Sequence, residues 1–137
     1  MSLPLAGKVA LITGSSRGIG AAVATRLAAD GANVVINYVS NADAAQGVAD
    51  GINAKGAGKA TIIKADVSVL SEAKRLVDET REKLGGLDIL VLNAAIMQLR
   101  TLAELTEADY DLHYNANVKG PLFMTQHAVP HLKPGTC

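Results

Sequence analysis

Thr13-Gly14-Ser15-Ser16-Arg17-Gly18-Ile19-Gly20 is the stretch that decides the fold of this 137-residue chain. It follows directly on Lys8–Thr13, an apolar run rich in Val, Leu and Ile that reads as a short buried strand. It leads into Gly18–Asp30, which reads as a helix with Val23, Leu27 and the alanines on one side and Gly31 as its stop. The glycine spacing is G-x-x-x-G-x-G. Gly14 permits a tight turn off the strand, Gly18 lets a phosphate approach closely, and Gly20 lets the helix pack against the strand. The helix N-terminus offers free N–H groups and the positive end of its dipole to a pyrophosphate. Between a strand and a helix, this pattern reads as a dinucleotide site rather than a plain glycine-rich turn.

Working outward, strands and helices alternate. Asn33–Tyr38 reads as a second strand and Asp43–Lys55 as a second helix, ended by Gly56-Ala57-Gly58. Ala60–Ala65 is a third strand. Ser68–Leu84 is a third helix, with Leu70, Ala73, Leu76, Val77 and Thr80 at helical spacing and Gly85-Gly86 at its end. Leu87–Leu92 is a fourth strand. A last helical stretch runs from about Thr106 to Leu132, with Pro121 and Pro130 predicting a kink or a break. Thr106-Glu107-Ala108-Asp109 reads as its start. Such alternation predicts parallel strands joined by right-handed crossovers, an α/β doubly wound sheet of Rossmann type with helices on both faces. The expected strand order is 3-2-1-4, in one domain spanning residues 1–137.

Composition narrows the function. Apolar residues make up 49% and charged residues 19%, which argues against disorder. The 13 basic and 13 acidic residues cancel, so no basic excess points to nucleic acid. No apolar run approaches the ~20 residues of a membrane helix, and the start of the chain does not read as a signal peptide. The single cysteine, Cys137, allows no internal disulfide, which fits an expected cytoplasmic location. His127 and His131 are four apart, but Pro130 lies between them and no Asp, Glu or Cys lies nearby, so no metal is expected. His113 reads as a surface or helix-packing residue, and Cys137 as a poor nucleophile.

Four motifs in order resemble those of the short-chain dehydrogenase/reductase family. Thr13 to Gly20 match its T-G-x-x-x-G-I-G. Asp66-Val67 stands where the family has an Asp that touches the adenine ring. Asn93-Ala94-Ala95 stands where it usually has N-N-A-G, and Asn117-Val118-Lys119-Gly120 matches its N-V-x-G. The resemblance implies cofactor contacts at Gly14, Ser16, Arg17, Gly18, Ile19, Gly20, Asp66, Val67, Asn93 and Ala94. It also implies a catalytic role for Asn117. Ala95 departs from the family pattern, replacing a glycine on the nicotinamide side. Members are commonly dimers or tetramers built partly on the helix carrying the Asn, which implies a homo-oligomer.

The cofactor expectation comes from charge. NAD-binding chains place Asp or Glu at the end of the second strand, about 20 residues past the glycines, to hold the ribose hydroxyls. Here that position is Tyr38, followed by Val39-Ser40-Asn41. Arg17 can pair with a 2′-phosphate, and Tyr38 and Ser40 can donate to it. NADP is therefore expected over NAD.

In the family, a Ser after the fifth strand and a Tyr-x-x-x-Lys pair on the next helix carry out proton transfer beside hydride transfer. No Tyr-x-x-x-Lys occurs here. Tyr38 is followed at the fourth place by Ala42, Tyr110 by Tyr114, and Tyr114 by Val118. His131 to Cys137 resembles the turn into the fifth strand, so the resemblance implies a sheet truncated after the fourth strand and its following helix. Two readings follow. One is an NADP-dependent oxidoreductase moving hydride between the cofactor and a ketone or secondary alcohol, of the 3-oxoacyl or aromatic ketone reductase type. The other is a catalytically incompetent NADP-binding fragment lacking the Ser and the Tyr-x-x-x-Lys residues. A methyltransferase with a similar sheet fits less well, because Thr13-Gly14 and the later Asn motifs do not suit it.

Overall fold

The structure, a computed structural model, describes residues 2–133. Four parallel strands form one sheet: β1 (Val9–Ile12), β2 (Asn33–Tyr38), β3 (Ala60–Lys64) and β4 (Ile89–Val91). Their order is β3-β2-β1-β4, the order expected. Leu11 of β1 lies beside Val35 of β2 and Leu90 of β4.

Two cores sandwich the sheet, divided by the two-residue alternation of strand side chains. Ala10, Ile12, Val34 and Ile36 point to one face. There they pack on Ala24 and Ala28 of α1 (Gly18–Ala29) and on Ala45, Ala49 and Ile52 of α2 (Ala42–Lys55). Leu11, Val35 and Ile63 point to the other. There they meet Ala73, Leu76 and Val77 of α3 (Leu70–Leu84). Met124 and Ala128 of α5 (Gly120–Ala128) join that face. Alanines on α1 and α2 let those helices lie close to the sheet.

Most elements lie within one residue of their predicted bounds, whereas α3 and β4 each start two residues later. α3 starts at Leu70 rather than Ser68, because Asp66 holds the preceding turn: its carboxylate accepts from the Ser68 N–H at 3.0 Å and the Ser68 hydroxyl at 2.6 Å. β4 covers Ile89–Val91, shorter than Leu87–Leu92. Among the described residues it pairs with β1 alone, its side chains are half-buried, and Leu92 is exposed. Such a strand is a sheet edge. Asp88, just before it, is buried and accepts from the Val9 N–H at 2.9 Å, tying the start of β1 to β4.

The last helical stretch neither breaks nor stops at Pro121. α4 (Glu107–Tyr114) runs into a π turn at Asn115–Lys119 and then into α5, with Pro121 in the first turn of α5. A proline ring normally collides with the carbonyl four residues back. The wider π turn ahead of it gives the ring room, so the helix is remodelled where a kink was predicted. At Pro130 it tightens into a 3-10 turn, Val129–His131. The Pro134–Cys137 end lies outside the described residues.

Gly120 shows why this stretch has its sequence. A Cβ on it would run into the carbonyl oxygen of Val67, the loop that follows β3. Gly to Ala inside a helix normally stabilises by about 0.5–1 kcal/mol. The Gly120→Ala variant is expected to do the reverse, losing about 1–3 kcal/mol through overpacking, read as a lower urea midpoint.

Candidate functional site

A cleft of about 560 Å³ opens at the carboxyl ends of the strands. It sits where the strand order reverses, between β1 and β4, the place where open parallel sheets bind ligands. Its volume falls within the roughly 300–1,000 Å³ of small-molecule sites. Gly14, Ser16, Arg17, Gly18 and Ile19 line it from the loop after β1. Tyr38 and Ser40 line it from the end of β2, Asp66 and Val67 from the end of β3, and Asn93 and Ala94 from the end of β4. Parallel strands deliver their carboxyl ends to one edge, so four stretches spread over 80 residues of sequence meet there.

Two expected residues do not line the cleft. Gly20 is buried behind the loop; a Cβ on it would lie 2.6 Å from the Asn93 amide nitrogen and 2.6 Å from the Gly14 carbonyl oxygen. Its role here is close packing of α1 on the strand ends. Asn117 is exposed and reaches the cleft indirectly. Its amide accepts from the Ile96 N–H at 2.8 Å and donates to the Ile96 carbonyl at 2.9 Å, clamping one residue of the cleft wall from both sides.

The cleft also takes residues that sequence reading did not assign to it. Val39 and Asn41 lie in the loop after β2, and Asn41 caps α2 by accepting from the Ala44 N–H at 3.0 Å. Asn before a helical run is a readable capping signal. Ile96 and Ala116 carry no such signal, because they meet through the hydrogen bonds of Asn117, in the π turn, to Ile96. Ala95 lines the cleft as well. No non-glycine residue among those described has a positive φ, so its methyl group causes no backbone strain.

The loop after β1 is laid out for an anion. Gly14 (φ 61°) and Gly18 (φ 58°) adopt left-handed backbone, which glycine tolerates best. The N–H groups of Gly14 and Ser15 are used inside the protein, on Asn37. Those from Ser16 to Gly20 have no partner among the described residues. Arg17, at the N-cap of α1, is exposed, and its side chain makes no hydrogen bond or ion pair among the described residues. A run of unpaired N–H groups, a helix N-terminus and a free guanidinium suit a phosphate.

The opposite wall is fixed by hydrogen bonds. The Thr13 hydroxyl oxygen accepts from the N–H groups of Asn93 (3.0 Å) and Ala94 (2.9 Å). The Asn93 amide donates back to the carbonyls of Thr13 (3.0 Å) and Gly14 (3.1 Å). Beyond Ile96, His113 of α4 accepts from the Gln98 N–H at 2.8 Å through Nε2, while its Nδ1 donates to the Asp109 carbonyl at 2.7 Å. The packing role expected of His113 is thus to tie this loop to α4. The pattern requires the neutral ring with its proton on Nδ1. At the start of α4, backbone and hydroxyl hydrogen bonds from Thr106 hold the Asp109 carboxyl below its usual range. His127 differs from expectation: Asp78 of α3 lies 2.9 Å from its Nε2, brought there by packing across 49 positions. It lies away from the cleft.

The geometry agrees with known relatives. The family model for short chain dehydrogenases matches residues 8–136. This chain belongs to the short chain dehydrogenase family. A crystal structure of a short chain dehydrogenase from Burkholderia cenocepacia in complex with NADP superposes with a TM-score of 0.93 at 48% identity, over 96% of this chain and 54% of that one. A blue fluorescent protein from a metagenomic library, in complex with NADPH, does so with a TM-score of 0.91 at 40% identity, over 96% and 54%. Among curated proteins, a hydroxynaphthalene reductase-like protein of Metarhizium majus is 46% identical over 131 residues, 96% of this chain and 49% of its own length. The chain spans about half the length of the curated relatives it matches. No helix among the described residues is long and apolar enough to cross a membrane.

Two outcomes test the wall. Thr13→Val removes the oxygen that two N–H groups share and is expected to cost about 1–3 kcal/mol, with Thr13→Ser near the unsubstituted value in the same urea titration. The depressed Asp109 carboxyl stabilises the fold above its ordinary value of 3.8. That contribution is lost as pH falls through the lower folded value. Exchange protection of the Asp109 amide is therefore expected to stay level from neutral pH down to that range and to fall below it, followed by NMR.

Proposed function

We propose that this chain is the nucleotide-binding part of an NADP-dependent oxidoreductase that moves hydride between NADP(H) and a ketone or secondary alcohol. The observation that carries the reading is the loop from Ser16 to Ile19. Its unpaired N–H groups stand at a helix N-terminus, beside the free guanidinium of Arg17, in a cleft at the switch point. These residues fit a dinucleotide. The loop would hold the pyrophosphate, and Asp66 and Val67 the adenine. Arg17, Tyr38 and Ser40 would hold a 2′-phosphate, and Asn93, Ala94 and Ala95 would face the nicotinamide side. When bound, the cofactor supplies the hydride. Asn117, through Ile96, shapes the wall against which a carbonyl or alcohol would lie.

The relatives support this choice. Two of the matching structures hold NADP or NADPH, and a curated relative from Zymoseptoria tritici, 42% identical, is named a probable tetrahydroxynaphthalene reductase. Neither Tyr38 at the end of β2 nor the loop residues Val39, Ser40 and Asn41 place an acid there to compete with a 2′-phosphate. A second reading rests on the missing Tyr-x-x-x-Lys: residues 1–137 form one nucleotide-binding domain, incomplete at its C-terminal end, that binds the cofactor without turning over substrate. Turnover of a ketone by these residues alone would refute that second reading.

NADPH is expected to bind tighter than NADH, followed by the cofactor's own fluorescence. A hydrogen bond to a charged group contributes about 1.5–3 kcal/mol. Arg17→Ala should therefore weaken NADPH by roughly ten- to a hundredfold and leave NADH little changed. Equal affinity of the unsubstituted chain for both cofactors would overturn the NADP assignment.

A further inference from the structure

β2 is apolar from Val34 to Ile36, and its next residue is a buried asparagine. Asn37 is 1% exposed. A buried carboxamide is costly unless its hydrogen bonds are made, and a leucine would serve the sheet as well. Here every group is engaged. Its Oδ1 accepts from the Gly14 N–H at 2.9 Å. Its Nδ2 donates to the carbonyls of Ile63 (3.2 Å) and Ala65 (3.1 Å). Its own carbonyl accepts from the Ser15 N–H at 2.9 Å. Its N–H donates to the Ser15 hydroxyl at 2.9 Å, which donates in turn to the Ile12 carbonyl at 2.7 Å.

We propose that Asn37 is a positioning residue for the phosphate loop. It turns the first two loop N–H groups inward and leaves those from Ser16 to Ile19, whose residues line the cleft, for the ligand, and it joins the loop to the end of β3. Ala65, which it holds, precedes Asp66 and Val67 of the adenine-side wall, and Tyr38 follows it in β2. The loop and that wall are therefore fixed to each other through one side chain. Asn37 itself does not line the cleft. The inference rests on the dinucleotide reading of the cleft for its effect on binding, but the geometry of the free loop tests it separately.

The experiment measures NADP⁺ binding by calorimetry for the unsubstituted chain, Asn37→Leu and Asn37→Asp, across about pH 5 to 8. Asn37→Leu is expected to bind roughly tenfold more weakly, the effect of losing a buried hydrogen bond that orients the loop. Asn37→Asp is expected to bind best at the acid end, relative to the unsubstituted chain at each pH. A protonated carboxyl can still accept from Gly14 and donate to one of the two carbonyls, whereas a carboxylate sets an acceptor against both. A merely space-filling role gives no such pH trend. Equal affinity of a folded Asn37→Leu variant, or a flat profile for Asn37→Asp, would overturn the proposal. Amide exchange of the unsubstituted, ligand-free chain decides the case without any variant: Gly14 should be protected and Ser16 to Ile19 should exchange fast. Gly14 exchanging as fast as Gly18 would also overturn it. Failure of the unsubstituted chain to bind NADP⁺ would instead sink the cofactor reading, with Gly14 exchange still judging Asn37.

Discussion

One hydroxyl oxygen, that of Thr13, sits where β1 and β4 end and their chains part. α1 leaves toward one face of the sheet and the chain after β4 toward the other. A parallel sheet opens a crevice at such a point, and the main-chain groups flanking it lose their ladder partners. Thr13 Oγ1 satisfies two of them, the N–H groups of Asn93 and Ala94, while the Asn93 amide covers the carbonyls of Thr13 and Gly14. Hydrogen bonds join the two walls where the crevice begins. Gly20 belongs to the same arrangement, since the Asn93 amide occupies the space that a side chain there would need.

The electrical character of the cleft follows from this geometry. With the first loop N–H groups bonded to Asn37, those at the start of α1 have no partner among the described residues, nor has the side chain of Arg17 beside them. Nothing opposes that positive potential at the end of β2, where Tyr38 and Ser40 contribute hydroxyls rather than a carboxylate. The far wall depends on longer connections. Asn117 grips Ile96 and His113 grips Gln98, so the loop after β4 takes its shape from α4 and the π turn.

Much of this was legible in the residues. The glycine spacing between an apolar run and a helix located the loop, and the alternation of apolar runs with helical patterns predicted a parallel sheet with helices on both faces. Asp66, Val67, Asn93 and Ala94 were expected at the site through the family resemblance, and parallel topology is the physical reason they meet, because it sends all strand ends to one edge. Elsewhere the signal was local and incomplete. Leu87–Leu92 has the composition of a longer strand than forms, because pairing on one side alone sustains only Ile89–Val91. Pro121 predicted a kink, but the chain had a second solution, a π turn, that keeps α5 against α3 and Gly120 against Val67. Asp78 beside His127, and Asn37 beneath the loop, had no sequence signature at all.

What the sequence by itself determined is the order of elements, the place of the phosphate loop and the absence of an acid at the end of β2. These depend on periodicity, on glycine's backbone freedom and on the charge of individual residues, all carried by short stretches of chain. What only the tertiary structure decided is which polar groups meet: Thr13 with Asn93, Asn37 with Gly14 and Ala65, Asn117 with Ile96. Those partners are 21 to 80 positions apart. A hydrogen bond needs atoms within about 3 Å at a favourable angle, and only packing of the whole sheet and its helices sets distances that finely.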